Sequence, residues 1–187
     1  LLVDLDCDIY ITGSNSKLLS GELATLIAGR YIQIHVYPFT LSEAKEITKQ
    51  NGTFVSDDAL FSDYLRYGGL PLRFSLEEIS VEPYLSDTYD AIVVKDILQR
   101  NKLNDSALLN LLLSFLMDNI ANPFSARSIV SALAANGIRT SVDTVLAYIG
   151  YIKNAMIMNS VQRYDIKGKK LLAAGEKYYA VDLGLRN

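Results

Sequence analysis

The sequence predicts a mainly α chain with a small β content: an α/β remnant at its start, then a small helical subdomain, then a winged helix-turn-helix. Three observations carry this. Residues 8–31 run in the order strand, small polar turn, helix and isolated Gly-Arg; residues 41–100 hold three helical patterns punctuated by Gly-Gly-Leu-Pro; and residues 106–181 hold three more, followed by alternating basic strands. With 187 residues, half of them apolar, the chain can bury a substantial core in one or two modules.

Ile9-Tyr-Ile11 is a short apolar run suited to an inner parallel strand. Thr12-Gly-Ser-Asn-Ser16 then places hydroxyls and an amide at its carboxyl end, where α/β sheets bind ligands. Leu18 to Ala28 has helical spacing, ended by Gly29 and followed by Arg30, whose guanidinium suits a bidentate phosphate contact. Tyr31 to Tyr37 alternates as a strand. This order is how a nucleotide-triphosphatase core presents its phosphate sensor, with Ser14 and Asn15 placed to touch a γ-phosphate or its attacking water. The phosphate-binding loop itself is missing from the sequence. The one Gly-Lys pair, Gly168-Lys169, is followed by Lys170 and lacks the glycine required before it, and no acidic strand precedes Ile9. The chain opens at Leu1 without an initiator Met, so the expectation is the carboxyl-terminal part of a longer P-loop ATPase.

Leu41 to Ile47 follows Thr40, an N-cap with Glu43 three positions on, the pattern of a capping box. Asp57 to Tyr67 predicts a helix with Leu60, Phe61, Tyr64 and Leu65 on one face, stopped by Gly68-Gly-Leu-Pro71. Glu82 to Arg100 predicts the next. Ser106 to Ala121, Ser125 to Asn136 and Ser141 to Asn154 complete the helices, the second closed by Gly137 and the third opened by Thr140-Ser141. A hairpin is expected from Met156 to Tyr164 and Lys169 to Ala173 around a turn at Asp165 to Gly168, with a further strand over Lys177 to Val181.

The net charge of −3 is uneven. Residues 1–100 carry 8 Lys+Arg against 15 Asp+Glu, a net −7, whereas residues 101–187 carry 10 against 6, a net +4. The second module is the one suited to a polyanion. A single cysteine, Cys7, excludes an internal disulfide and any cysteine-rich metal site. The longest apolar stretch, Ala107 to Met117, is about half of a membrane span, and a cytoplasmic location is expected.

Several motifs in one order resemble the bacterial and archaeal AAA-type ATPases that carry a DUF4143 region. They are Ile11-Thr-Gly-Ser-Asn-Ser16, Gly29-Arg-Tyr31, Tyr37-Pro-Phe39, Tyr67-Gly-Gly-Leu-Pro71, Lys95-Asp-Ile97 with Arg100, Arg163-Tyr-Asp165 with Lys167-Gly168, and Tyr179-Ala-Val-Asp-Leu-Gly-Leu-Arg186. The resemblance implies an AAA+ superfamily ATPase with its P-loop and Walker B strand upstream of Leu1. It divides the chain into the end of the nucleotide-binding core (1–40), a helical lid (41–100), a winged helix (101–176) and the start of a restriction-endonuclease-like region (177–187). It also puts Asn15 at the sensor 1 position, with Ser14 beside it, and Arg30 near an arginine finger. ATP and Mg²⁺ are implied for the full-length protein, and neither is expected to bind this portion by itself.

Each of these residues also has a plainer role. Ser14 and Asn15 suit a helix N-cap, and Arg30 suits an ion pair with Glu22 or Glu43. Asp96 and Arg100 form an i,i+4 pair of the kind found on solvated faces, His35 has no partner at ligand spacing, and Asp182 is expected to be structural. Arg163, Lys167, Lys169 and Lys170 flank Gly168 as a wing tip would and suit contact with phosphates, while the third helix of the module has no arginine in its first half to read guanine. The expected partner is duplex DNA, held weakly and without sequence preference. The alternative is a non-enzymatic winged helix that docks on DNA, on another protein or on a second copy.

Overall fold

The computed structural model describes residues 8–14, 31–162 and 176–187, and these form a mainly helical molecule with one two-stranded sheet. Helix α1 spans Leu41–Gln50, α2 Asp57–Tyr67, α3 Glu78–Ala91, α4 Ser106–Asp118, α5 Ala126–Ala135 and α6 Val142–Asn154. A 3₁₀ turn, Pro71–Ser75, lies between α2 and α3, and a π-helical segment, Ile92–Gln99, continues α3. Strands β1, Met158–Val161, and β2, Lys177–Ala180, pair antiparallel with Met158 opposite Ala180 and Val161 opposite Lys177.

Local chemistry sets most helix starts. Thr40 and Glu43 make the expected capping box: the Thr40 backbone N–H donates to the Glu43 carboxylate at 2.7 Å and holds its pKa below the ordinary value. Ser56, Asp105, Ser125 and Ser141 each accept a backbone N–H of the first turn of the helix that follows. Helix α4 stops at Asp118, three residues short of the expected end. The Asn119 amide takes the Phe115 carbonyl at 2.8 Å, and Ala121, at φ 65°, turns its N–H to the Tyr178 carbonyl of β2 instead of continuing the helix.

The principal core gathers around α4. Leu109, Leu112, Leu113 and Leu116 are buried against Ile129 of α5, Val145, Ile149 and Ile152 of α6, Met158 of β1, and Val93 and Ile97 of the π-helical segment. Tyr178 of β2 stacks on Phe124 at 4.9 Å between ring centroids, and Phe124 meets Phe115 of α4 edge-on at 5.2 Å. A second, smaller cluster joins Tyr67 of α2 to Val81 and Leu85 of α3.

Three expectations differ from the structure. Helix α3 begins at Glu78, not Glu82, and carries Pro83 inside it; the proline forfeits one backbone bond, and burial of Val81 and Leu85 on either side compensates. The strand expected over Tyr31 to Tyr37 is extended but joins no sheet among the described residues, and Ile32 is 90 % exposed, because alternation alone forms no ladder without a neighbouring strand. The run Ile9 to Ile11 behaves likewise. β1 pairs with β2, the further strand expected from Lys177, while the hairpin partner expected at Lys169 to Ala173 lies outside the described residues.

Candidate functional site

Ser14 closes the short polar turn after Ile9 to Ile11, and its hydroxyl donates to Asp96 Oδ2 at 3.0 Å across 82 residues of sequence. Asp96 sits in the π-helical segment and is only 8 % exposed. Its other oxygen accepts from Arg100 at 3.0 Å, which is the expected i,i+4 pair. The face is not the solvated one the sequence suggests. Asp96 lies three residues after buried Val93 and next to buried Ile97, on the inward stripe of the segment, and hydrogen bonding to Ser14 and Arg100 compensates the carboxylate there.

A second junction is built on the Tyr67-Gly-Gly-Leu-Pro71 motif. Asp182, 4 % exposed, accepts the Gly69 N–H at Oδ2 (2.7 Å) and the Gly184 and Leu185 N–H groups at Oδ1 (2.8 and 3.3 Å). Gly68 has φ 70°, and a Cβ there would overlap the Asp182 carboxylate; one on Gly69 would overlap the Phe39 carbonyl oxygen. The Phe39 N–H donates to the Gly69 carbonyl at 2.8 Å, and the Tyr64 hydroxyl donates to the Phe39 carbonyl at 2.7 Å. Buried Arg73 completes the set: its Nε donates to the Gly68 carbonyl, one terminal nitrogen pairs with Asp63 at 2.9 Å, and its plane lies 4.0 Å from the centre of the Phe74 ring. Burial pushes the Asp182 carboxyl above its ordinary pKa, opposed by the Gly69, Gly184 and Leu185 N–H groups and the charge of Arg73.

Beside this junction a cleft of about 700 Å³ opens between α2, α3, α4 and the last residues of the chain. Arg66 and Glu82 pair at 2.6 Å on its wall, with Tyr89, Ser114, Asp118 and Arg186 also lining it. Among the described residues its lining holds no histidine, cysteine or lysine, so none of these supplies a base beside Ser114.

Of the residues singled out from sequence, Ser14 is placed as described, bonded to Asp96. Asn15, Arg30, Arg163, Lys167, Lys169 and Lys170 lie outside the described residues; in sequence the last four fall between β1 and β2. Asp182 is structural, as its three backbone donors show. No group of three or more His, Cys, Asp or Glu among the described residues is arranged to hold a metal, and no described helix is long and apolar enough to cross a membrane. Sequence reasoning missed the Ser14–Asp96 contact and the role of Arg73, neither of which leaves a local signal.

The family described as Domain of unknown function (DUF8612) matches residues 58–187, well over half of the chain. The chain belongs to the DUF8612 family. Residues 1–45 match an AAA domain, which relates the segment carrying Ser14 to AAA-type ATPases. An uncharacterized protein of Haemophilus influenzae is 39 % identical over 189 residues, covering 100 % of this chain and 46 % of the relative. An uncharacterized protein of Methanocaldococcus jannaschii is 24 % identical over 189 residues, covering 97 % of this chain and 42 % of the relative. The chain thus spans less than half the length of these curated relatives, and no solved structure matches it. In DUF8612 terms, the Gly68–Gly69 junction and the Asp182 turn both lie within the matched region, whereas Ser14 lies in the AAA-matched one.

Replacing Asp182 by Asn sets an amide N–H₂ against a backbone N–H and is expected to destabilise the fold by about 1–3 kcal/mol in urea denaturation. Because the folded pKa of Asp182 is raised, the folded state keeps its proton to higher pH than the unfolded chain. The wild type therefore loses stability as pH rises from 3.8 through the raised value, and is level above it as far as this group is concerned. Asn has no such slope, so the gap between wild type and variant narrows over that window; a gap that widens with pH would contradict the assignment.

Proposed function

We propose that the chain is the part of an AAA+ superfamily ATPase that follows the P-loop and the acidic Mg²⁺-binding strand: a phosphate-sensing turn, a helical lid over residues 41–100, and a winged helix. The observation that carries this reading is that the AAA-matched segment is bonded directly, through Ser14, to the helical body of the DUF8612 region. The order of motifs, from Ile11-Thr-Gly-Ser-Asn-Ser16 to Tyr179-Ala-Val-Asp-Leu-Gly-Leu-Arg186, supports the further likeness to ATPases with a DUF4143 region. Three helices followed by an antiparallel pair, α4 to α6 and then β1 and β2, support the winged helix.

Ser14 suits a phosphate: it presents a hydroxyl donor, and that donor is already turned to an anionic oxygen. In the full-length protein, bound MgATP supplies the transferable phosphoryl group. Asn15, next in sequence, would orient the attacking water or the γ-phosphate oxygens by its amide, and Arg30 would supply a guanidinium to a phosphate of a neighbouring subunit. The turn and Arg30 therefore report the state of the phosphate, and the lid carries that report into the helices. The result is an ATP-driven switch.

Asn15→Ala in the full-length protein is expected to lower turnover by about 10²-fold or more while changing ATP affinity little, since the amide acts on charge that develops in the transition state. Single-turnover kinetics with a separate binding titration check this; lost binding with unchanged turnover per bound nucleotide would contradict it.

The second reading, a winged helix on DNA, is favoured by the net +4 of residues 101–187 and by Arg163, Lys167, Lys169 and Lys170 in the interval between β1 and β2. Duplex DNA should bind the chain weakly, with an affinity that falls steeply with salt and varies little with sequence. Replacing Lys169 and Lys170 together by Gln should weaken all duplexes alike in a low-salt anisotropy titration. No binding at low salt, or binding indifferent to both changes, would turn the reading to a protein-docking wing.

A further inference from the structure

We propose that the Ser14 hydroxyl is a two-position donor, held by Asp96 of the π-helical segment or by the γ-phosphate of ATP but never by both, so that ATP binding unfastens the AAA-matched segment from the lid. The proposal rests on the ATPase reading above and adds to it a named residue, Asp96, that sets how tightly ATP is held without touching it.

The argument begins with proton counting. A serine hydroxyl has one O–H to donate, while an ionised carboxylate and a phosphate oxygen are both acceptors only. In the structure the proton is directed at Asp96 Oδ2, 3.0 Å away. A phosphate oxygen that engages Ser14 must therefore take the bond that Asp96 has. The like charges of carboxylate and phosphate add to the exclusion, since at Ser14 they would meet on the same small group.

The second step concerns what Asp96 does once released. Its Oδ2 lies in a largely buried residue and cannot simply be rehydrated, so its loss of Ser14 is felt. Its other oxygen holds Arg100 at 3.0 Å, and the Arg100 side chain, 40 % exposed, carries further N–H donors with which the same fork can meet both carboxylate oxygens. Asp96 and Arg100 thus have a second arrangement available within the segment.

The third step is location. Asp96 lies in eight residues of π winding, Ile92–Gln99, between α3 and Arg100. Such winding is uncommon and often found where helices do work. Its neighbours Val93 and Ile97 are buried in the core that α4 organises. A shift of the carboxylate toward Arg100 is therefore passed directly to packed side chains, which resist gradual deformation and favour discrete arrangements.

The test uses the full-length protein and measures ATP and ADP affinity by calorimetry. Asp96→Asn, which replaces a charge-assisted bond by a weaker neutral one, should tighten ATP about three- to tenfold and leave ADP unchanged. In a Ser14→Ala background the same change should do nothing. Arg100→Met, which leaves Asp96 relying on Ser14, should weaken ATP severalfold and again spare ADP, and it keeps the proposal falsifiable if Asp96→Asn fails to fold. Effects shared equally by ATP and ADP, effects that persist without the Ser14 hydroxyl, or an Arg100→Met protein with wild-type ATP affinity would overturn the switch alone. A wild type that binds no ATP would overturn the ATPase reading and the switch together.

Discussion

The carboxylate of Asp182 is buried near the end of the chain, yet it is the acceptor on which the turn at Gly68–Gly69 closes, more than a hundred residues earlier. Three backbone N–H groups converge on it, two from its own turn and one from Gly69. The absence of side chains at Gly68 and Gly69 is what lets these stretches of backbone approach so closely. Burying a carboxylate is unfavourable unless its oxygens are satisfied, so the site either forms whole or not at all. Arg73 sharpens this. It is 5 % exposed, with one terminal nitrogen that has no hydrogen-bond partner among the described residues, and its charge is balanced by Asp63 and by the face of Phe74.

From that junction the larger architecture follows. Phe39 is bonded to the Gly69 backbone, which fixes how the chain enters α1, whose first residues still belong to the AAA match. The Asn187 amide donates to the Leu65 and Arg66 carbonyls, which closes the end of α2 with the last residue of the chain. Between these ties, β2 is held to α4 through Tyr178, Phe124 and the Ala121 N–H. The stretch expected to open a further region, 177–187, is thus joined both to the sheet and to the Gly68–Gly69 turn. The helices of residues 41–100 and those beyond share this framework, and the Ser14–Asp96 contact ties them to the AAA-matched turn.

Where the determinants are local, the sequence was readable. Thr40 with Glu43, Ser56, Ser125 and Ser141 announce helices because each satisfies a backbone donor within three residues. The breaks at Gly68 and Gly137 are equally local, with φ of 70° and 80° marking real turns. The start expected at Glu82 missed the first turn of α3, where burial of Val81 and Leu85 on either side outweighs the bond that Pro83 forfeits. Tyr31 to Tyr37 misled differently: it has the pattern of a strand, but the partner that would make it one is not among the described residues. Asp96 falls on the same helical stripe as Tyr89, Ile92, Val93 and Ile97, so its inward placement was legible, but its charge and its i,i+4 pair with Arg100 pointed to a solvated face instead. Of the candidate site, the hydroxyl of Ser14 was legible as a donor at the end of an apolar run, whereas its acceptor lay 82 residues away and was not.

The central claim is that Asp182 and the Gly68–Gly69 turn form one cooperative unit with the principal core. Native-state hydrogen exchange at the Gly69 and Gly184 amides tests it most directly, with the amide of core residue Leu113 as the reference. The account predicts that the Gly69 and Gly184 amides exchange only through the global opening that exposes Leu113, with the same free energy and the same dependence on denaturant. Exchange of Gly69 and Gly184 through a low-energy local opening, while Leu113 stays protected, would contradict it.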